Sequence, residues 1–310
     1  MNILHLKYVV TVAETKSISK AAEQLYMGQP NLSRAIKELE NTLGIVIFKR
    51  TSKGIVITPE GEEFLHYARK ITSMVCEVEQ IYIEGKAHKQ QFAVCVPRAS
   101  YISSAFAVFS KNVERSAPLE MYYNETNSMT TIESVMRDEC GIGIIRYQSA
   151  FDKYFKDLFA ERKLTSEVVA ELKFVLIVSK NSPLADKDNI EFNELSDYIE
   201  ITHSDSYVPT MPYIDVMKAE LTEYVNKRIF VFERASQFLL LEKNPYTFMW
   251  VSPVPQPLLD QHNLVQKTCR VNDKTYKDVL IYKKNYKLSP LDSQFITEVC
   301  NAKRAYINNI

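Results

Sequence analysis

Residues 21–44 read AAEQLYMGQPNLSRAIKELENTLG, two short amphipathic helices separated by a break at MGQP. On the first, Ile18, Ala21, Ala22 and Leu25 recur at i, i+3, i+4 and i+7, with Ser17 or Ser19 as the capping residue. On the second, Leu32, Ile36, Leu39 and Leu43 step by four, three and four, and Gly44 closes the helix. Pro30 suits a first helical turn, where its missing N–H costs no hydrogen bond. An earlier helix, with Leu6, Val9, Val10 and Ala13 on one face, precedes the pair. Two short helices joined by a tight turn over small alanines predict a helix-turn-helix.

The second helix carries a polar stripe as well as its leucine ridge. Pro30, Ser33, Arg34 and Lys37 also fall at i, i+3, i+4 and i+7, on the face away from Leu32, Ile36 and Leu39. A guanidinium fork suits guanine, an amide suits adenine, and hydroxyl or ammonium groups suit phosphate. Gln29 and Asn31 supply the amides. Alone, such a stripe reads more readily as a solvated surface face. The following segment, IVIFKRTSKGIVITPEG, adds two short β-branched runs around TSKG, so a hairpin is expected with Arg50 and Lys53 at its turn. Residues 1–57 hold eight Lys and Arg against four Glu, although the whole chain is formally neutral. Helix-turn-helix, basic excess and hairpin together predict a winged helix that binds DNA.

Thr58-Pro59-Glu60 reopens a helix with a cap, a proline and an acidic first turn. Phe64, Ala68, Ile71, Val75, Val78 and Tyr82 repeat along it at four-three spacing, a seam about 27 Å long. The seam fits either packing on its own domain or pairing with a second copy.

The run from Leu6 to Phe64, through SISKAAEQL, QPNLSRAIKELE, LG, FKR and TPEG, resembles the N-terminal domain of LysR-type transcriptional regulators. That resemblance implies an α/β multidomain chain: a winged helix-turn-helix over residues 1–57, and a linker and dimerisation helix with hinge over 58–90. It also implies a two-lobed, periplasmic-binding-protein-like effector domain over 91–310. Lobe I would span about 91–165 and 268–310, lobe II about 166–267. The DNA contacts it implies are Gln29, Pro30, Ser33, Arg34 and Lys37 on the recognition helix, with Arg50 and Lys53 at the wing. Implied partners are double-stranded DNA, a small-molecule effector, RNA polymerase, and further copies forming a homodimer or dimer of dimers. Two positions depart from the family pattern: Gly28 replaces the usual Ser, and Gly143 stands where the family often has Asp.

Beyond the polar run at 86–91, strand-like and helical stretches alternate, as in an α/β domain with a mainly parallel sheet. Expected strands are FAVCV (92–96), LEMYYNE (119–125), GIGII (141–145), LKFVLIVS (172–179), YIEIT (198–202), RIFVFE (228–233), FMWVS (248–252) and a return within 271–285. LKFVLIVS is expected to open the second lobe. Ligands of such domains bind at strand C-terminal ends. Candidates there are Arg98, Ser100 and Tyr101 after the first strand, Asn127 and Ser128 after the second, and Arg146 after the third. Thr202, His203 and Ser204 close YIEIT, and Phe248 begins FMWVS. In the family, positions like Ser100, Ser128 and Thr202 line the effector pocket. An inward arginine would favour an anionic ligand. Ser, Thr and Asn after strands also serve as caps and turns.

Several classes are disfavoured. The five cysteines form no C-x-x-C pair, which speaks against a zinc site and a disulfide framework. The chain contains neither a P-loop, a G-x-G-x-x-G nor a G-x-S-x-G motif, so no cofactor and no catalysis is expected. His203 beside Ser204 lacks an identifiable acid partner. No apolar run is long enough to span a bilayer and no signal peptide is evident, so a cytoplasmic protein is expected. A solute-binding protein would need the cleft but not the winged helix.

Overall fold

A computed structural model describes residues 2–51, 54–82, 90–114, 118–188, 190–204, 225–269, 272 and 274–307. The chain divides into two compact units, Met1–Lys89 and Gln90–Ile310. Lys53 and most of the expected hinge lie outside the described residues, as do the side chains of Arg50 and Tyr82.

The first unit contains helices α1 (Ile3–Thr15), α2 (Ile18–Gln24) and α3 (Gln29–Leu43), hairpin strands β1 (Phe48–Thr51) and β2 (Gly54–Ile57), and helix α4 (Pro59–Tyr82). Ser17 caps α2 by accepting from the Lys20 N–H. The turn into α3 passes through Tyr26 in the left-handed region (φ 51). At the other end, α3 closes on left-handed Gly44. One core holds the unit together: Leu6, Val9 and Val12 from α1, Ala21 and Ala22 from α2, Leu32, Ile36 and Leu39 from α3, with Ile47, Leu65 and Ala68.

The first hairpin strand sits three residues later than its β-branched run suggests and the second agrees within one residue, pairing Phe48 with Ile57 and Thr51 with Gly54. Ile45 to Ile47 stay out of it for a definite reason. Ile47 is buried, and Glu40 on α3 accepts the N–H groups of Ile47 (2.7 Å) and Phe48 (3.1 Å). That carboxylate replaces a strand partner. Thr58 likewise leaves the strand to cap α4, accepting from the Gly61 N–H at 2.9 Å while its hydroxyl donates to Val46 O at 2.5 Å.

The helical seam divides. Ala68 is buried in the unit's own core beside Leu65, and Phe64 and Ile71 pack partly against it. Of the two uses open to the seam, its first two turns take packing on the unit's own domain, where their apolar side chains close the winged helix. Outward-facing apolar residues follow a shifted phase: Tyr67, Met74 and Val78 are each more than half exposed, with Ile71 between them.

The second unit has two five-stranded sheets. Sheet one, in the order β4-β3-β5-β12-β6, contains β3 (Gln90–Val96), β4 (Leu119–Glu125), β5 (Ile142–Gln148), β6 (Leu164–Lys173) and β12 (Thr275–Lys283). Sheet two, in the order β11-β7-β10-β8-β9, contains β7 (Val175–Ser179), β8 (Ile199–His203), β9 (Arg228–Val231), β10 (Thr247–Val251) and β11 (Leu264–Lys267). Neither sheet is mainly parallel: β3 pairs parallel with β4 and β5, and β8 with β9 and β10, but β12, β7 and β11 run antiparallel to their neighbours.

Helices α5 (Ser100–Asn112) and α10 (Pro290–Tyr306) cover one face of sheet one around Phe92, Phe109 and Phe295. Helices α6 (Ser128–Met136) and α7 (Asp152–Glu161) cover the other. Gly143 is explained by this packing, because a Cβ there would lie 2.6 Å from Thr131 Cγ2 on α6. Sheet two is flanked by α8 (Arg234–Lys243) and α9 (Gln256–Gln261) on one side.

LKFVLIVS is not one strand. Leu172 and Lys173 end β6 in sheet one, Phe174 belongs to neither sheet, and Val175 opens sheet two. Strand β6 escapes the eye because exposed Ser166, Glu167 and Glu171 interrupt its apolar residues. The crossover thus falls at Phe174 instead of near residue 165. Phe174 stacks on Tyr276 of β12, with ring centroids 3.9 Å apart.

Gly61 tests the local packing. A Cβ there would come within 2.4 Å of Ile47 O, a backbone atom that cannot swing away. Gly61→Ala should destabilise the first unit by about 1–3 kcal/mol, the usual cost of overpacking, despite alanine's better helix propensity. Urea unfolding followed by circular dichroism would read it, and an equal or higher midpoint would refute the close contact.

Candidate nucleic-acid interface and interlobe site

The recognition edge follows from what α3 buries. Leu32, Ile36 and Leu39 point into the core, so the opposite flank has nowhere to go but outward. Gln29, Pro30, Asn31, Arg34 and Lys37 are exposed and Ser33 is half-buried. Gly28 caps α3 without a side-chain bond, so the N–H groups of the first turn carry no hydroxyl cap. Arg34 and Lys37 border a shallow hollow completed by Glu38, Asn41 and Thr42. Tyr26, 98% exposed, stands just before the helix and extends the edge beyond the residues nominated from sequence. Together these groups offer donors, acceptors and two cations on one convex strip, the chemistry a major groove accepts.

In the second unit the ten cleft candidates separate into different roles. Phe248 is wholly buried in the core of sheet two, beside Leu176 and Val178, and presents nothing to a ligand. Arg146 does not await an anion either. Its Nε and Nη2 donate to the two carboxylate oxygens of Asp278 at 2.6 Å each, and its guanidinium lies 5.5 Å from the Phe174 ring centroid. Tyr101 is buried and donates to Asp278 Oδ2 at 2.5 Å. Burial, and then the adjacent Asp278 charge, push that phenol well above its ordinary pKa. The Ser128 hydroxyl donates to Arg146 O at 2.6 Å and accepts the Arg146 N–H at 3.2 Å, fastening α6 to β5. Asn127 caps α6 through the Thr130 N–H. Apart from Phe248, these corrections share one cause: the polar groups are taken up by a helix cap, a helix-to-strand tie and a buried ion pair on β12.

The others remain near the strand ends. Arg98 is half-buried, and Thr202, His203 and Ser204 are half-buried at the end of β8. Ser100 is buried at the start of α5, and its Oγ accepts from Nη2 of Arg234 at 2.6 Å. Arg234 opens α8 on the other lobe, so this contact crosses between the lobes. The same guanidinium donates through Nη1 to Ser103 Oγ at 3.0 Å and pairs with Glu125 Oε1 at 2.7 Å, Glu125 being the last residue of β4. Tyr123 also donates to Glu125 Oε1, at 3.1 Å. Burial, and then the Glu125 carboxylate, raise the Tyr123 phenol far above its usual pKa. Arg234 and Glu125 sit in no recognisable motif. The one available signal was positional, since each lies at or just past a strand end, as Ser100 does.

A family model described as "Bacterial regulatory helix-turn-helix protein, lysR family" matches residues 3–62, the span of α1 through the start of α4. Residues 3–62 thus form a helix-turn-helix domain of the LysR family. Relatives include the HTH-type transcriptional regulator AlsR of Bacillus subtilis (strain 168), 26% identical over 223 residues, 70% of this chain and 69% of that protein. The HTH-type transcriptional regulator BenM of Acinetobacter baylyi is 47% identical over 75 residues, 24% of this chain and 25% of its own. A crystal structure of full-length CbnR complexed with its target DNA shares the fold, with TM-score 0.59 and 16% identity over 97% of this chain and all of that one. The regulator thus binds DNA through its helix-turn-helix, and its relatives are regulators rather than enzymes. No described helix is long and apolar enough to cross a membrane.

The buried ion pair gives a direct test. Asp278 is fully buried and the Arg146 side chain is 10% exposed. Asp278→Asn would strand that guanidinium inside lobe I, and breaking one partner of such a pair costs about 3–5 kcal/mol. Urea unfolding of the two proteins would read the difference, and a loss below about 1 kcal/mol would mean that water reaches the guanidinium.

Proposed function

We propose that the regulator reads operator DNA by laying α3 in the major groove. Gln29, Asn31 and Arg34 would contact base edges, while Ser33 and Lys37 hold phosphates and Pro30 shapes the first turn. Arg50 and Lys53 at the wing reach the neighbouring backbone or minor groove. The observation that carries this reading is the division of α3 into a buried ridge of Leu32, Ile36 and Leu39 and an exposed strip of Gln29, Asn31, Arg34 and Lys37.

Two copies joined along the outer flank of α4 read two half-sites, and pairs of dimers form a tetramer. The exposed side chains of Tyr67, Met74 and Val78 support that flank over the Phe64 and Ala68 turns, which the winged helix occupies. The second unit binds a small effector between its lobes, near Ser100, Thr202, His203 and Ser204. Ligand changes DNA binding through unequal affinity for two lobe arrangements. The protein acts in the cytoplasm and engages RNA polymerase at its promoters.

Gel shifts with a selected operator and scrambled duplexes test the contacts. Arg34→Ala should cost about 1–3 kcal/mol on the operator and blur the preference at one base pair. Lys37→Ala should weaken all duplexes alike and reduce the salt slope by about one. Unchanged affinity and sequence preference in Arg34→Ala would remove α3 from the reading role. For assembly, Met74→Asp should shift the protein toward monomer in sedimentation velocity, and an unaltered profile would place the interface elsewhere.

A further inference from the structure

The contact across the lobes has more chemistry than a structural tie requires. Arg234 is held by Glu125, Ser100 and Ser103, all on lobe I, and its guanidinium lies 5.7 Å from the Phe238 ring centroid. The ion pair is largely withdrawn from water, with Arg234 and Glu125 side chains 15% and 16% exposed. Arg234 follows β9 and Glu125 ends β4, so both groups stand where the strands deliver their C-terminal ends.

A second observation points to the same edge. Gln237 lies three residues beyond Arg234, on the same face of α8, and is 3% exposed. Its Oε1 is enclosed and has no hydrogen-bond partner among the described residues. Ser252, 1% exposed, follows the last residue of β10, and its enclosed Oγ is also without a partner among them. Continuing the register of β10 with β8, Thr247 with Ile199 and Phe248 with Glu200, puts Ser252 level with Ser204 at the end of β8. An enclosed carbonyl oxygen without a donor is costly, and its natural remedy is a donor from a guest molecule or water.

Building on the interlobe reading above, we propose that Glu125 is a placeholder for the ligand. The site takes a small molecule whose carboxylate replaces that of Glu125 on Arg234, and whose hydroxyl or amide N–H donates to Gln237 Oε1. The exchange keeps one carboxylate on the guanidinium throughout, so Arg234 is never left unpaired. Its planar fork, already braced by Ser100, is preorganised for a two-oxygen anion. Tyr123, two residues back on β4, donates to Glu125 here and is the partner within reach of the displaced carboxylate. Ligand binding takes Glu125 out of the tie and leaves Ser100 and Ser103 as the lobe I partners of Arg234, which shifts the balance between lobe arrangements.

Thermal shift of the full-length protein tests this with sodium acetate and sodium succinate, against sodium chloride at matched ionic strength and acetamide as the neutral control. Both carboxylates should stabilise the wild type. Glu125→Gln, freed of its internal competitor, should reach half-saturation at roughly tenfold lower concentration. Arg234→Gln, shown folded by circular dichroism, should not respond, whereas Arg234→Lys should respond weakly. An equal response in Arg234→Gln, a Glu125→Gln no tighter than wild type, or no response in Glu125→Gln would each overturn the assignment. Operator binding measured alongside separates the two readings. Carboxylate binding that needs Arg234 but leaves DNA affinity unchanged keeps the ligand assignment and removes the effector role. A neutral metabolite that shifts operator binding in Arg234→Gln does the reverse.

Discussion

The burial of one leucine-rich ridge governs the DNA-reading unit. Leu32, Ile36 and Leu39 can leave water only by turning α3 onto α1, α2 and the base of α4, and that rotation fixes which side chains face out. Each fully buried leucine contributes roughly 1.5–3 kcal/mol, so the orientation is held far more firmly than any exposed polar contact could hold it. The polar strip therefore inherits its geometry from the core. Glu40 extends the same logic to the wing. From the C-terminal part of α3 it accepts the N–H groups of Ile47 and Phe48, so helix and hairpin move as one piece.

Lobe I shows the complementary strategy, a polar element at the centre of an apolar domain. Asp278 on β12 collects Arg146 from β5 and Tyr101 from α5, and Arg146 rests on Phe174 at the crossover. Such a network adds little net stability compared with apolar packing, but it has one satisfied arrangement and penalises every other. Of the three elements it ties together, α5 is the one that presents Ser100 to the opposite lobe.

How much of this was legible in the sequence depended on range. Local periodicity gave the α3 ridge and strip, the choice of Ser17 or Ser19 as cap, and the Gly44 stop, because each rests on neighbours within a turn. The first hairpin strand slipped by a few residues because Glu40, seven positions away from Ile47, competes for backbone groups that a strand would use. Strand β6 hid because exposed polar residues interrupt its apolar ones. The α4 seam has the right period for two uses, and only the docking of Ala68 and Leu65 on α1 shows which turns are taken. In the lobes, Arg146 lies within β5 and Phe248 near the start of β10, and a long-range partner on β12 and the core of sheet two decided where they point. Arg234 was missed for the mirror-image reason: its partners are more than a hundred residues away.

Phe174 carries a consequence for how the lobes can move. A single residue separates the last position of β6 from the first of β7, so at this crossing there is no slack to pay out. One peptide spans about 3.8 Å between α-carbons, and the strands on either side are pinned in their sheets. Opening must therefore proceed by torsion at this joint, with the Tyr276 ring as the surface on which it turns. The two halves can tilt like the covers of a book, but they cannot be drawn apart at the spine.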